Sequence, residues 1–201
     1  MDWHLSLLSF ALIFPVELPD KTFVAALVLS TRYRPLAVWV GVGLAFGTQC
    51  LIAVSAGQAV SYLPEWIVSV ASIALFLIGA AVLLRAAPHA DAEERQQEAT
   101  FAAKATDERQ GWRAVLTSFL VLFAAEWGDL SQVLTLNLVA DHGSPLSVFV
   151  GAWAALLTVS GLAVISGRFI LRHLRLTLLH YLAATVCLVL AGVGIYELAT
   201  G

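Results

Sequence analysis

At 201 residues, 60% hydrophobic and only 12% charged, the chain carries about half the charge of a soluble domain, for which roughly 25% is usual. That excludes an ordinary soluble globule and points to an integral membrane protein. A net charge of −3 singles out no macromolecular partner beyond the lipid bilayer, and neither nucleic acid nor a cofactor is expected.

Six long, almost uncharged runs fall at residues 5–29, 36–60, 66–84, 114–139, 146–166 and 176–196, each near the ~20 residues a helix needs to cross hydrocarbon. Strands of a membrane β-barrel would instead alternate polar and apolar residues over roughly 10 positions. The expected fold is therefore an all-α integral membrane protein with six transmembrane helices. The first run lacks a basic leader, since only Asp2 and His4 precede it. It continues through Glu17-Leu18-Pro19-Asp20-Lys21-Thr22 and reads as a span rather than a cleaved signal peptide. The second holds Gln49, Cys50 and the small residues Gly43 and Gly47, which suit close helix packing.

After the third run, residues 87–112 form the one substantially polar segment, with Asp91, Glu93, Glu94, Glu98, Asp107 and Glu108; a charge run of this kind reads as a solvated linker. The fourth run contains Glu126-Trp127-Gly128-Asp129-Leu130-Ser131, followed by Gln132 and Asn137. Cys50 and Cys187 lie within spans, have no metal-ligand spacing, and read as small packing residues.

Arg32 and Arg34 fall in the first loop, Arg85, Arg95, Lys104, Arg109 and Arg113 in or beside the third, and Arg168, Arg172 and Arg175 in the fifth. Those loops share one membrane face, and the opposite face has no Lys or Arg. By the positive-inside rule the basic face is cytoplasmic and both termini are outside. Trp3, Tyr62, Trp66 and Trp112 near the span ends fit an aromatic belt.

The two hexapeptides both follow E-x-x-D-x-[ST] and lie 109 residues apart. The likeness extends further. Pro35-Leu36-Ala37-Val38-Trp39-Val40-Gly41 matches Pro145-Leu146-Ser147-Val148-Phe149-Val150-Gly151, and Ala53, Val54 and Gly57 match Ala163, Val164 and Gly167. The chain is expected to comprise a first three-helix repeat at 1–86, a polar cytoplasmic linker at 87–112 and a second repeat at 113–201. Three is odd, so the second repeat enters the membrane inverted, as in many secondary transporters.

Of fourteen acidic residues, only Glu17, Asp20, Glu126 and Asp129 lie in the apolar runs. Positions i and i+3 of a helix share a face, so each pair is expected to point together, and the pseudo-two-fold would bring all four to mid-membrane. One charge there costs roughly 2.5 to 3.5 kcal/mol on insertion scales. Four would cost on the order of 10 to 14 kcal/mol, as much as the ~5 to 15 kcal/mol stability of a whole protein. Cations or protons must therefore neutralise them, and a cluster that alternates between metal and proton while facing the two sides in turn exchanges one for the other.

Carboxylate, hydroxyl and amide oxygens suit hard ions such as Mn²⁺, Ca²⁺ and Mg²⁺, whereas Zn²⁺ and copper favour imidazole and thiolate. Gln49, Gln132 and Asn137 offer further oxygens or helix-to-helix hydrogen bonds. Pro19, equivalent to Gly128, removes a backbone donor and frees the carbonyl of Pro15; broken helices of this sort coordinate ions in transporters. Thr22 and Ser131 lie off the carboxylate face of a regular helix, so ligation by them requires such a distortion. Lys21, four residues after Glu17, has Leu130 as its counterpart. On that difference Glu17 is expected to stay ionised and Glu126 to carry the exchanged proton.

With both hexapeptides in view, the chain resembles uncharacterised protein family 0016, whose signature is two copies of E-x-G-D-[KR]-[TS] and which includes Golgi and vacuolar manganese/calcium transporters and bacterial manganese exporters. The resemblance covers essentially the whole chain and implies cation/proton exchange, with Mn²⁺ export as the bacterial activity. It implies Glu17, Asp20, Glu126 and Asp129 as metal ligands, joined by Thr22 and Ser131. Pro19 replaces the first motif's Gly and Leu130 the second motif's Lys or Arg.

The expected protein is thus a multi-pass antiporter of a bacterial-type inner membrane, not an enzyme, exporting Mn²⁺ in exchange for protons. Its metal-site candidates are Glu17, Asp20, Glu126, Asp129, Thr22, Ser131, Gln49 and Gln132. Alternatives are a Ca²⁺/H⁺ antiporter and a passive divalent-cation channel. An intramembrane aspartyl protease is disfavoured by the paired Glu residues and by the absence of a first Gly in the Gly-x-Gly-Asp pattern.

Overall fold

The computed structural model describes residues 1–18, 21–90, 96, 99–103, 111–127, 129–173 and 176–200, and among them the secondary structure is entirely helical. In chain order the helices are α1 (Trp3–Glu17), α2 (Lys21–Arg32), α3 (Pro35–Val60), α4 (Glu65–Ala86), a 3₁₀ turn (Ala87–His89), α5 (Trp112–Ala125), α6 (Leu130–His142), α7 (Pro145–His173) and α8 (Leu176–Thr200). Local chemistry sets many of their ends. Asp2 caps α1, its Oδ1 accepting from the N–H groups of His4 at 2.9 Å and Leu5 at 3.3 Å, the role for which Asp is preferred there. Pro35 opens α3 and Pro145 opens α7, where a missing N–H costs nothing. Gly143, at φ 61°, ends α6 in the left-handed conformation that glycine adopts without strain.

Four helical segments are long and apolar enough to cross a membrane: Pro35–Val60, Trp66–His89, Pro145–Ile165 and His180–Thr200. The fourth expected span, 114–139, is not one helix but two, α5 and α6, bent by 75° and counting as a fifth crossing if taken together. The first, 5–29, likewise divides into the shorter apolar helices α1 and α2. The six continuous helices expected from the hydropathy runs are therefore corrected: the two runs that contain the acidic hexapeptides are broken at them. Hydropathy registers the length of an apolar run and does not see the backbone turning within it. Between α1 and α2 the sequence reads Leu18-Pro19-Asp20; Pro19 and Asp20 lie outside the described residues, as does much of 87–112.

The helices interlock across the chain's midpoint. α1 packs on α7, α5 on α3, α3 on α7, and α4 on α8. Ser147 Oγ accepts from the Asp2 N–H at 2.7 Å, and the Ser6 hydroxyl donates to Ser147 O at 2.9 Å; further along, Gly151 lies against Ser6 and Ser9. These contacts advance together, so α1 runs parallel to α7. Gly41 lies against Val115 and Ser118, and Gln49 reaches Phe123, so α5 runs parallel to α3. The Trp39 indole donates to Leu157 O at 3.1 Å and the Trp153 indole to Gly43 O at 2.9 Å, which sets α3 and α7 antiparallel. Small residues permit these approaches, as in other membrane bundles.

The core is built where the halves meet. Ile13, Leu29, Val38, Val42, Leu122, Val148 and Val159 are fully buried. α4 is peripheral, with 11% of its spanning window buried against 56% for α3. Ile78 and Val82 of α4, with Leu178 and Val189 of α8, are exposed apolar side chains.

Candidate cation site

The breaks bring the acidic residues of the two halves together. Glu17, Glu126 and Asp129 each offer a carboxylate oxygen, and the three lie within 4.8 Å of one another. Glu17 is 1% exposed and Glu126 2%, so two of the three acids are closed off from the surface. Asp20 lies outside the described residues.

The geometry differs from one helical face carrying i and i+3. Glu126, at φ −100° and ψ 15°, caps the C-terminus of α5. Asp129, at φ −73° and ψ 164°, is extended and precedes α6. A non-helical turn, not helical periodicity, aims both at Glu17. Asp129 occupies an N-cap position, yet its side chain makes no capping hydrogen bond; it lies 3.5 Å from the Ser131 hydroxyl, which donates to Oδ2. On the other side the Thr22 hydroxyl donates to Glu17 Oε1 at 3.4 Å. Both hydroxyls, expected off the carboxylate face of a regular helix, lie within hydrogen-bond distance of the carboxylates.

The two glutamines act on the broken end of α5. Gln49 Nε2 donates to Phe123 O at 3.2 Å and Gln132 Nε2 to Glu126 O at 2.6 Å. Carbonyls in the last turn of a helix lack intrahelical donors, and these amides supply them. Gln49, Ser131, Gln132 and Thr135 also border a void of about 10 Å³, the space of roughly one water. Thr135 was not singled out by the sequence; it is buried and donates to Ser131 O at 2.7 Å, and its one signal was a hydroxyl one turn beyond Ser131. Asn137 lies apart, accepting from the Ser72 hydroxyl of α4 at 2.5 Å.

Three ionised carboxylates at this spacing repel strongly: at about 4.8 Å and an effective dielectric of about 20, each pair costs about 3 to 4 kcal/mol. The C-terminal ends of α1 and α5 add partial negative charge from their carbonyls. Hard cations and protons are what such a place accepts, and no imidazole or thiolate ligand belongs to the grouped acids.

Buried acids from both halves of an apolar helical chain, close enough to share an ion, point to the class of ion carriers. The sequence profile of the family described as divalent cation/proton antiporter GDT1 matches residues 5–91 and 114–201. The chain belongs to that family and is a transporter that exchanges a divalent cation for protons. Its relatives include the GDT1-like protein sll0615 of Synechocystis sp., 35% identical over 162 residues that cover 77% of this chain and 78% of that protein. The chloroplastic protein PAM71 of Arabidopsis thaliana is 32% identical over 213 residues, 96% of this chain and 56% of that one. GDT1-like protein 5 of Arabidopsis thaliana is 26% identical, covering 80% of this chain and 81% of its own length. The chain thus spans little more than half of the chloroplast relative. No solved structure matches it.

Proposed function

We propose that this antiporter exports Mn²⁺ from the cytoplasm in exchange for protons, with Glu17, Glu126 and Asp129 as the ligands that bind the two in turn. The observation that carries this reading is the meeting of those three carboxylates within 4.8 Å at the ends of broken helices. Asp20, the counterpart of Asp129 in the first hexapeptide, is assigned as the fourth acid by the repeat of the motif, and Thr22 and Ser131 as hydroxyls that orient or join the ligand set. An all-oxygen set suits Mn²⁺ and Ca²⁺ alike, so selectivity is the first thing to measure.

The mechanism rests on two units, 1–86 and 113–201, joined by the cytoplasmic linker 87–112 and inserted with opposite orientation. The reciprocal packing supports this: α1 follows α7, α5 follows α3, and α3 opposes α7, so α1 and α5 run in opposite directions. The family match over 5–91 and 114–201 divides at the same place. In this reading there are six crossings, the first and fourth each broken at mid-membrane, and rocking of the units exposes the carboxylates to either face. The absence of Lys and Arg from one set of loops supports both termini lying outside a bacterial-type inner membrane.

Reconstitution tests it. Proteoliposomes with a pH dye inside should show Mn²⁺ uptake accompanied by proton release, lost in Glu126→Gln. Ca²⁺ uptake without Mn²⁺ uptake would replace the cation. Ion flux with no reciprocal proton movement would make the protein a channel.

A further inference from the structure

Two buried or half-buried amides converge on one half of the site. Gln49 of α3 donates to Phe123 O, and Gln132 of α6 donates to Glu126 O. Both acceptors are carbonyl oxygens, so only the amide nitrogen can face them, and each amide's orientation is fixed by its partner. Between them they grip the last turn of α5 and the very residue that carries the Glu126 carboxylate. In the other half the matching sequence positions are Val159 for Gln49 and Phe23 for Gln132, both apolar and both buried.

From these two bonds we infer that Gln49 and Gln132 are positioning residues that hold Glu126 at cation-binding distance. The inference rests on the reading of Glu126 as a cation ligand. Gln49 has a particular place in it, because it belongs to the first half of the chain and its partner to the second. It ties the last turn of α5, three residues before Glu126, to the long helix of the first half, and so couples the position of Glu126 to the packing of α3 against α5. Outer-shell groups of this sort set ligand geometry and typically govern metal affinity by about 10- to 100-fold.

Gln49→Met and Gln132→Met keep side-chain length and remove the donor. In proteoliposomes each should raise the KM for Mn²⁺ by about 10- to 100-fold while Vmax stays within about twofold of wild type. Gln58→Met, on an exposed stretch of α3, should change neither. Run in parallel with Ca²⁺, both cations should lose affinity by the same factor; a changed Mn²⁺-to-Ca²⁺ ratio would overturn positioning in favour of direct ligation. KM values equal to wild type, with rates falling only as the folded fraction falls, would reduce both glutamines to packing and overturn the inference. If Gln132→Met does not fold, Gln132→Asn takes its place and should show a smaller rise in KM. A wild type that moves Ca²⁺ and not Mn²⁺ would sink the manganese reading alone, and the glutamine comparison is then read with Ca²⁺.

Discussion

Glu17 and Glu126, from opposite halves of the chain, bring carboxylate oxygens within 4.8 Å of each other, and both are almost fully buried. Held ionised with no cation between them, they repel by about 3 to 4 kcal/mol at an effective dielectric of about 20. Function and stability therefore oppose each other at this pair. Glu126→Gln should abolish cation exchange and, in cation-free detergent at alkaline pH, melt at a higher temperature than wild type. Added Mn²⁺ should raise the melting temperature of wild type and not of the variant, since a ligand stabilises only the protein that binds it. A variant that melts lower than wild type in the absence of cations would mean that the carboxylates do not strain the fold.

Cation and proton compete for the same oxygens, and a carboxylate must lose its proton to bind metal. Lower pH on the loading side should therefore weaken apparent Mn²⁺ affinity, by about tenfold per pH unit for each proton displaced. Two protons per divalent ion would give a slope near a hundredfold per unit and an electroneutral cycle. Each pH unit then supplies about 1.36 kcal/mol per proton, enough in total to support roughly a hundredfold ion gradient. Exchange rates measured with and without an imposed membrane potential should coincide; a strong dependence on potential would refute the two-proton cycle.

Four of the six hydropathy runs coincide with single helices long and apolar enough to cross a membrane, and the four acids stood out because charge in an apolar run is costly. What the runs could not convey was the backbone at the hexapeptides. Helical periodicity places Glu126 and Asp129 on one face by rule, whereas the turn between α5 and α6 brings them together by another route. Pro19 signals a break in the first hexapeptide, but Trp127-Gly128 carries no equally strong signal for the 75° bend between α5 and α6. Side-chain amides in a span are equally suited to ligation and to satisfying carbonyls, and only the three-dimensional arrangement separates the two. The aromatic pairs illustrate what sequence pairing does transmit. Phe10 stacks on Phe14 at 5.5 Å and Phe119 on Phe123 at 5.6 Å, at matching positions ahead of the two hexapeptides.

Gly41 and Gly151 are points of close approach between α3 and α5 and between α7 and α1. A Cβ on Gly41 would run into the backbone of Val115, and one on Gly151 into the backbone of Ser6. Backbone cannot step aside as a flexible side chain can, so Gly41→Ala and Gly151→Ala should each destabilise by about 1 to 3 kcal/mol, and by similar amounts. At Gly192 an added Cβ would meet nothing within 4 Å, so that position should accept alanine with little change. Melting temperatures of the three variants in one detergent make the comparison; tolerance at Gly41 with loss at Gly151 would show that the two interfaces are not equivalent.

Trp39 and Trp153 tie α3 and α7 to each other in opposite senses, each indole donating to a carbonyl of the facing helix at 3.1 and 2.9 Å. Each ring also rests on a glycine, Trp39 on Gly161 and Trp153 on Gly47. A hydrogen bond of this kind contributes about 1 kcal/mol net, and phenylalanine keeps most of the ring while removing the donor. Trp39→Phe and Trp153→Phe should each lower stability by about that amount while leaving the carboxylate cluster, and hence the KM for the cation, unchanged. If α3 and α7 move past each other as the halves rock, the same two bonds must break or exchange on the way, and both variants should then transport faster at saturating cation. Slower transport with unchanged KM would instead show that the tethers stay closed throughout the cycle and that the units turn about the α3–α7 contact rather than across it.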